Sequence, residues 1–455
     1  MKLKTILLGT VACAMMAAPA LGQSSSTTTT TTTTTTKHHH HAAAAGESRM
    51  DRMERMIEEQ AAEIRDLKSQ VHGGGEMAAS APPSSDTVTT AQFEALQNQV
   101  YEQQAANTAL TKSSWWAKTQ VSGRAYIDFS SISDKRDGVA QSVNGTSFDI
   151  KRFYIGIDHQ FDSTWSANVT TDFLYDSTAG ATQLYLKKAY LQGKFADWLT
   201  VRLGSSDMPW IPFVEDLYGY RYVENTLIDR TKFGTSADWG INANGKFADG
   251  MFSYSVSAVN GLGYKKPGFV GGVNRTDGID FEGRLSMNWD GFTLGVGGYD
   301  GHLGAAHGVV THHDAQRFDA VAAYTMDDLR VGVEYFHAQN WNDVTSTNTD
   351  RDTGYGGFAS YNFDPEWAVF GRYDWVKPEV KTSGGAVVSD PKNTYYNFGI
   401  TYSPTKIVDL SLVYKHDAAT NGFLGDQNGT IGGLAQGPGH SGHFNEIGLF
   451  TQLRW

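Results

Sequence analysis

Residues 152–173 read Arg152-Phe-Tyr-Ile-Gly-Ile-Asp-His-Gln-Phe161-Asp-Ser-Thr-Trp165-Ser-Ala-Asn-Val-Thr-Thr-Asp-Phe173, and their pattern decides the fold. In the first half Phe153, Ile155, Ile157 and Phe161 alternate with Arg152, Tyr154, Gly156 and Asp158. In the second half Trp165, Ala167, Val169, Thr171 and Phe173 alternate with Ser166, Asn168, Thr170 and Asp172. A period of two gives a strand one apolar and one polar face. The four residues between the halves, Phe161-Asp162-Ser163-Thr164, suit a tight turn. The stretch is therefore a hairpin with one face for oil and one for water.

The same alternation runs outward in both directions. Val121, Gly123, Ala125, Ile127 and Phe129 oppose Gln120, Ser122, Arg124, Tyr126 and Asp128. It returns at 237–247, 251–260, 279–289, 328–336, 394–402 and 406–416, about sixteen segments in all. Short links (161–164, 195–197, 247–250, 289–291, 326–328, 363–366) alternate with long polar stretches (131–147, 205–236, 261–278, 301–315, 338–352, 377–393, 417–441). Short turns on one rim and long loops on the other are the layout of a transmembrane antiparallel β-barrel of about 16 strands. A soluble sandwich has no reason to lengthen every second connection.

The last strand, His443 to Trp455, puts Ile447, Leu449, Thr451, Leu453 and Trp455 on one face and Glu446, Gln452 and Arg454 on the other; Phe450 breaks the rule. Ending on an aromatic residue resembles the assembly signal of outer-membrane barrels. Composition agrees. Mean hydropathy is −0.38, as expected when lipid contact is confined to alternate residues, and aromatics reach 12%, enough for girdles at both interfaces.

Upstream of the barrel (115–455) the chain changes character several times. Residues 1–22 read as a signal peptide: Lys2 and Lys4, a short apolar run, then Ala18-Pro19-Ala20 and Ala20-Leu21-Gly22. A lipoprotein reading at Cys13 leaves too short an apolar run. Cys13 is the one cysteine, so the mature chain has neither disulfides nor thiolate chemistry. Residues 23–49 are a Thr/His/Ala tether in which His38 to His41 suit a flexible tract better than a metal site. Residues 50–71 repeat Met50, Ile57, Ile64 and Val71 every seven residues with Met53, Gln60 and Leu67 between them, which predicts an α-helical coiled coil. A Gly/Pro/Ser linker (72–90) and a weaker helical segment (91–114) follow.

Three stretches carry a family resemblance: Phe148-Asp-Ile-Lys-Arg-Phe-Tyr-Ile-Gly156, Leu186-Lys-Lys-Ala-Tyr-Leu-Gln-Gly-Lys-Phe-Ala-Asp-Trp-Leu-Thr-Val-Arg-Leu-Gly204 and Phe252-Ser-Tyr-Ser-Val-Ser-Ala-Val-Asn-Gly261. Together they resemble the phosphate-selective porin O/P family over roughly 116–263. The resemblance implies sixteen strands, a homotrimer and a loop folded into the lumen. Where family members tend to carry Gly-Gln-Phe-Lys followed by Pro-Phe, this chain has Gly204-Ser-Ser-Asp207-Met-Pro209-Trp210. An acid stands at a lysine-like position, so the motifs mark the family and not the solute.

The expected function is passive diffusion of small hydrophilic solutes or ions through a water-filled trimeric barrel, the alternative being a porin specific for phosphate or sugars. Inward parity collects Arg124, Arg152, Arg202, Arg284, Arg330 and Arg372 among Asp128, Asp158, Asp172, Asp280, Glu282 and Glu334. The candidate constriction loop, 205–236, carries Asp207, Glu215, Asp216, Arg221, Glu224, Asp229 and Arg230, with aromatic residues dense enough to pack inside the barrel. Residues 115–455 hold 28 Lys and Arg against 38 Asp and Glu, so 28 − 38 = −10, which predicts weak cation preference. His302, His307, His312 and His313 share a loop by chance rather than as a metal site. No metal, cofactor or nucleic acid is expected. An outer-membrane enzyme would need a serine or aspartate paired with histidine at one rim, and no Gly-x-Ser-x-Gly motif occurs. A trimeric adhesin would need a long stalk where this chain has one short coil. The expected partners are two further copies of the chain, outer-membrane lipid, and peptidoglycan touched through the periplasmic coil.

Overall fold

A computed structural model of the chain describes residues 95–104, 115–176, 180–266, 275–381, 387–427 and 430–455. The expected signal peptide (1–22), tether (23–49), coiled coil (50–71) and linker (72–90) lie outside these residues. Residues 95–104 are helical.

From Thr119 the chain is almost wholly strand. Three short pieces, Val139–Ala140, Val380–Lys381 and Val387–Ser389, belong to the long connections. The sixteen others are β1 (Thr119–Arg136), β2 (Gly145–Gln160), β3 (Trp165–Asp176), β4 (Ala181–Ala196), β5 (Leu199–Asp207), β6 (Ala237–Phe247), β7 (Phe252–Val259) and β8 (Asp280–Trp289), followed by β9 (Phe292–Gly301), β10 (Ala315–Met326), β11 (Leu329–Gln339), β12 (Thr349–Asp364), β13 (Trp367–Lys377), β14 (Lys392–Thr405), β15 (Val408–Gln427) and β16 (Thr430–Arg454). Each pairs antiparallel with its sequence neighbours, and β16 returns to β1 from Arg124↔Arg454 to Arg136↔Gly442. The ring is closed and has no edge strand, the condition for a sheet to cross a bilayer. Trp455 seals the seam: its N–H donates to Gly123 O at 3.1 Å and its carbonyl accepts from Gly123 N–H at 3.0 Å.

Local chemistry explains the turns. Asp290-Gly291 joins β8 to β9 with φ 48° and 79°, the two positive angles that a two-residue turn between right-twisted strands requires. On the outer surface Val121, Phe129, Ile157, Val169, Leu191, Leu294, Val333 and Leu449 are exposed. Inward neighbours such as Asp128, Asn168, Asp172, Glu334 and Glu446 are buried. No described helix is long and apolar enough to span a membrane.

Two expectations change. The stretch 417–441, read as a loop, is mostly strand, because β15 and β16 pair on to Gln427↔Thr430. Its Gly- and Asn-rich sequence hid the hairpin. Strict alternation also fails where ladders shift register, among them the β-bulges in the β1/β2 ladder at Tyr126/Ile127 and in the β3/β4 ladder at Thr170/Thr171.

Candidate functional site: the loop inside the barrel

The connection from β5 to β6, residues 208–236, folds into the barrel. It contains α1 (Ile211–Tyr218) and α2 (Leu227–Thr231). Pro212 in the first turn presets the dihedral that α1 needs, and Gly219 closes it at φ 78°, its N–H donating to Glu215 O at 2.8 Å. Apolar side chains drive the loop inward. Trp210, Ile211, Val214, Leu227, Ile228 and Phe233 form one buried cluster with Val321, Phe336, Ala338 and Val376 from β10, β11 and β13. Tyr222 and Val223 form another with Tyr126, Phe370, Val413 and Phe450. That second cluster accounts for the irregular Phe450: it faces inward, fully buried, because the loop covers it.

Buried charges then fasten the loop to the wall from β8 to β16 and, at Lys151, to β2. The Trp210 backbone N–H donates to Glu282 at 2.9 Å, and its indole N–H to Glu334 at 3.0 Å. Arg284 Nε donates to Pro209 O at 2.9 Å. Arg230 reaches Asp374 at 3.0 Å, Asp417 at 2.9 Å and Asn393 at 3.0 Å. Arg317 binds Glu282 at 3.0 Å and Asp319 at 2.8 Å and also donates to Phe233 O. Arg372 pairs with Asp374 at 2.7 Å and donates to Asn225 O. Lys415 bridges Glu446 at 2.9 Å and Glu224 at 3.4 Å, while Lys151 donates to Val223 O and lies 4.0 Å from Glu224. Burial alone would raise the Glu224 carboxyl, but Lys151 and Lys415 outweigh it and hold it at about 2.

The candidate residues therefore separate into two groups. Glu224, Arg230 and Arg372 are buried in the seam between loop and wall. Arg124, Arg152, Arg202, Arg284, Arg330, Asp207, Glu215, Asp216 and Asp229 keep exposure to the interior, and Arg221 sits between Glu215 at 2.6 Å and Asp229 at 3.6 Å. Burial, with Glu215 and Asp207 nearby, raises the Asp216 carboxyl above its ordinary value.

The sequence reading missed Lys151, Lys187, Lys188, Arg317 and Lys415. The first two follow from the bulges. A bulge sets two residues against one, so both can face the same side. Tyr126 pairs with Arg152 and Ile127 with Ile150, leaving Lys151 as the extra inward residue. Thr170 pairs with Lys188 and Thr171 with Leu186, leaving Lys187 extra. Lys188 then meets Asp207 at 2.6 Å, and Lys187 sits 4.6 Å from the Tyr154 ring. Consecutive cations in an alternating strand were the available signal, since strict alternation would have sent one of each pair into lipid.

With the loop held on one side, two cavities remain on the other. On the short-turn side, about 740 Å³ lies beneath α1, lined by Lys194, Arg202, Lys246 and Arg284 and by Asp197, Asp207, Asp216 and Asp249. On the long-loop side, about 240 Å³ is lined by Arg152, Arg221, Lys232, Lys265 and Lys266, with Asp229 its single acid. A closed barrel with a loop packed inside and polar cavities at both rims is the plan of a channel.

Comparison with known proteins agrees, because residues 101–422 match the model of a Gram-negative porin family. The chain belongs to the Gram-negative porin family. It is an outer-membrane porin, and its function is passive diffusion of small hydrophilic solutes. No curated protein matches it. Among solved structures, the anion-selective porin from Comamonas acidovorans is 12% identical, with a TM-score of 0.54, covering 74% of this chain and 99% of that one. The outer membrane protein OmpT of Vibrio cholerae is 11% identical, with a TM-score of 0.49, covering 74% and 97%. OmpF of Salmonella typhi in complex with daunomycin is 12% identical, with a TM-score of 0.48, covering 74% and 97%. At these identities the likeness is one of fold. The family shown is the general Gram-negative porin family, and the match does not extend to the phosphate-selective O/P family.

Proposed function

We propose that solutes pass between the inserted loop and the wall from β1 to β7, and that this passage prefers anions. The carrying observation is the charge lining the two cavities. The short-turn cavity sets four cations against four acids, whereas the long-loop cavity sets five cations against one. Acids buried in the seam, such as Glu224, Asp374 and Asp417, are neutralised by Lys415, Arg230 and Arg372 and exert little field on the passage. This local balance replaces the expectation of cation preference drawn from the net charge of the chain. Arg124, Arg152, Lys188 and Arg202 on the wall face Glu215, Asp216 and Asp229 on the loop, a transverse field that orients dipolar solutes. A phosphate- or sugar-specific porin is the second reading; the doubled cations of the bulges favour phosphate and Asp207 disfavours it. The assembly unit in this reading is a homotrimer in outer-membrane lipid, with residues 50–71 as a periplasmic coil that joins three chains and reaches peptidoglycan.

Reconstitution in planar bilayers tests the reading. The expected result is conductance in steps of three, with a reversal potential in a potassium chloride gradient on the chloride side. A potassium-side potential contradicts the anion preference, and a silent protein contradicts the passage.

A further inference from the structure

The long-loop cavity holds two polar atoms that the passage reading leaves unused. Arg221 Nη1, a donor, and Asn225 Oδ1, an acceptor, are buried and have no hydrogen-bond partner. Both residues line this cavity and are more than nine-tenths buried, at 8% and 2% exposure. Folded chains rarely leave such atoms unpaired, and a site that does is a candidate for a visiting ligand. The rest of the Arg221 guanidinium is already held: Nε donates to Glu215 at 2.6 Å and Nη2 faces Asp229 at 3.6 Å. These two carboxylates fix the group and leave one nitrogen free. Around it stand Arg152, Lys232, Lys265 and Lys266. Burial and the adjacent Arg152 push the Lys265 ammonium below its ordinary value, as expected where cations crowd without enough counter-charge.

The geometry points to a binding site in this cavity for a small hydroxylated carboxylate of the sugar-acid class. The carboxylate accepts from Arg221 Nη1 and lies among Lys232, Lys265 and Lys266, while a hydroxyl donates to Asn225 Oδ1. The cavity, about 240 Å³, has space for one small organic anion. Acetate supplies only the anionic half of this pairing, and chloride offers no hydroxyl to Asn225. The inference rests on the passage reading and names the solute class that the passage would hold.

The test uses the full-length protein in planar bilayers, with single-channel chloride current recorded while gluconate, acetate or inorganic phosphate is titrated in. Gluconate is expected to interrupt the current with residence times about tenfold longer than acetate, the size of effect that one added well-placed hydrogen bond gives. Asn225→Leu should erase that difference, and Arg221→Gln should abolish both blocks. Because both residues also help to hold the loop, Lys265→Gln with Lys266→Gln serves as the variant outside the loop packing. It should weaken the gluconate block several-fold relative to the variant's own open current, while the channels stay open with a smaller chloride preference. Open channels that treat gluconate and acetate alike overturn the site and leave the passage standing. Phosphate blocking at lower concentration than gluconate overturns it in favour of a bare tetrahedral anion. A protein without conductance overturns the passage, and the site with it.

Discussion

The two halves of the barrel wall turn different chemistry inward. From β1 to β6 the inward side chains are mostly polar or charged, with Arg124, Arg152, Lys188 and Arg202 among Asp128, Asn168, Asp172, Gln192 and Asn242, and Tyr126 is an aromatic exception that meets the loop. From β10 to β16 apolar residues join them: Val321, Phe336, Phe370, Val376, Val413 and Phe450, interleaved with the buried charges of Arg317, Arg372, Asp374, Lys415 and Glu446. The difference decides where the inserted loop lies. Its own apolar residues leave water against the second half, and the buried ion pairs select one register there. A single barrel is thus half packed core and half channel lining, and similar residues have different work in each half.

The strongest way to break this contrast is to remove an anchor. Arg230→Ala leaves Asp374 and Asp417 buried without that cation, a loss of about 3–5 kcal/mol. The expected readouts are a lower unfolding temperature, protease cleavage within 208–236, and a larger, noisier conductance. Trp210→Ala acts through packing and removes the indole donor to Glu334, while the backbone N–H to Glu282 is kept; the packing loss alone is about 3–5 kcal/mol. It should loosen the α1 end of the loop while the α2 end stays protected, which limited proteolysis can resolve.

The two bulges sharpen the contrast, because each supplies a lysine with a different task. Lys151→Met breaks the tie to Val223 and Glu224 and should cost stability on the scale of one lost buried partner, roughly 3 kcal/mol. Lys188→Met lies on the open side, where its partner Asp207 is part-exposed. Its stability should change by no more than about 0.5 kcal/mol, while the reversal potential moves toward potassium. If both variants lose stability equally, the division into anchored and open walls fails.

The smallest expected effect is with pH. The Asp216 carboxyl titrates above its ordinary value, so lowering pH removes a loop charge first there, and anion preference should grow. Asp216→Asn should flatten that trend. The loop should stay attached meanwhile. Glu224 is held at about 2, below its unfolded value, so the stability it contributes is full above roughly pH 4.3 and is lost only as pH falls toward 2. Reversal potentials between pH 7 and pH 4 read the first effect, and thermal unfolding over the same range reads the second.

Much of the fold was legible because a half-buried strand writes its burial into alternate residues. The turns at 161–164, 289–291 and 326–328 and the long connection at 205–236 stand where the sequence put them. What alternation cannot report is a local change of its own phase. Lys151 and Lys187 were hidden by bulges, and the β15–β16 extension by a Gly- and Asn-rich sequence that reads as loop. The constriction candidates were legible as charges on a long connection. Their division was not, because whether Arg221 borders a cavity while Arg230 is sealed depends on which wall the loop meets. Phe450 and Phe336, apolar residues at inward positions, were the trace of that meeting.

The central claim is that the loop seals the wall around Val413 and leaves the wall around Lys188 open to water, and thiol accessibility tests it directly. The one native cysteine is Cys13, so single replacements at Lys188 and Val413 can be labelled selectively once Cys13 is changed to serine. With a charged, membrane-impermeant thiol reagent added to open channels, Lys188→Cys should show a stepwise fall in current. Val413→Cys, beneath Tyr222 and Val223, should show none. Equal reaction at both positions, or a fall in current at Val413 alone, would contradict the account.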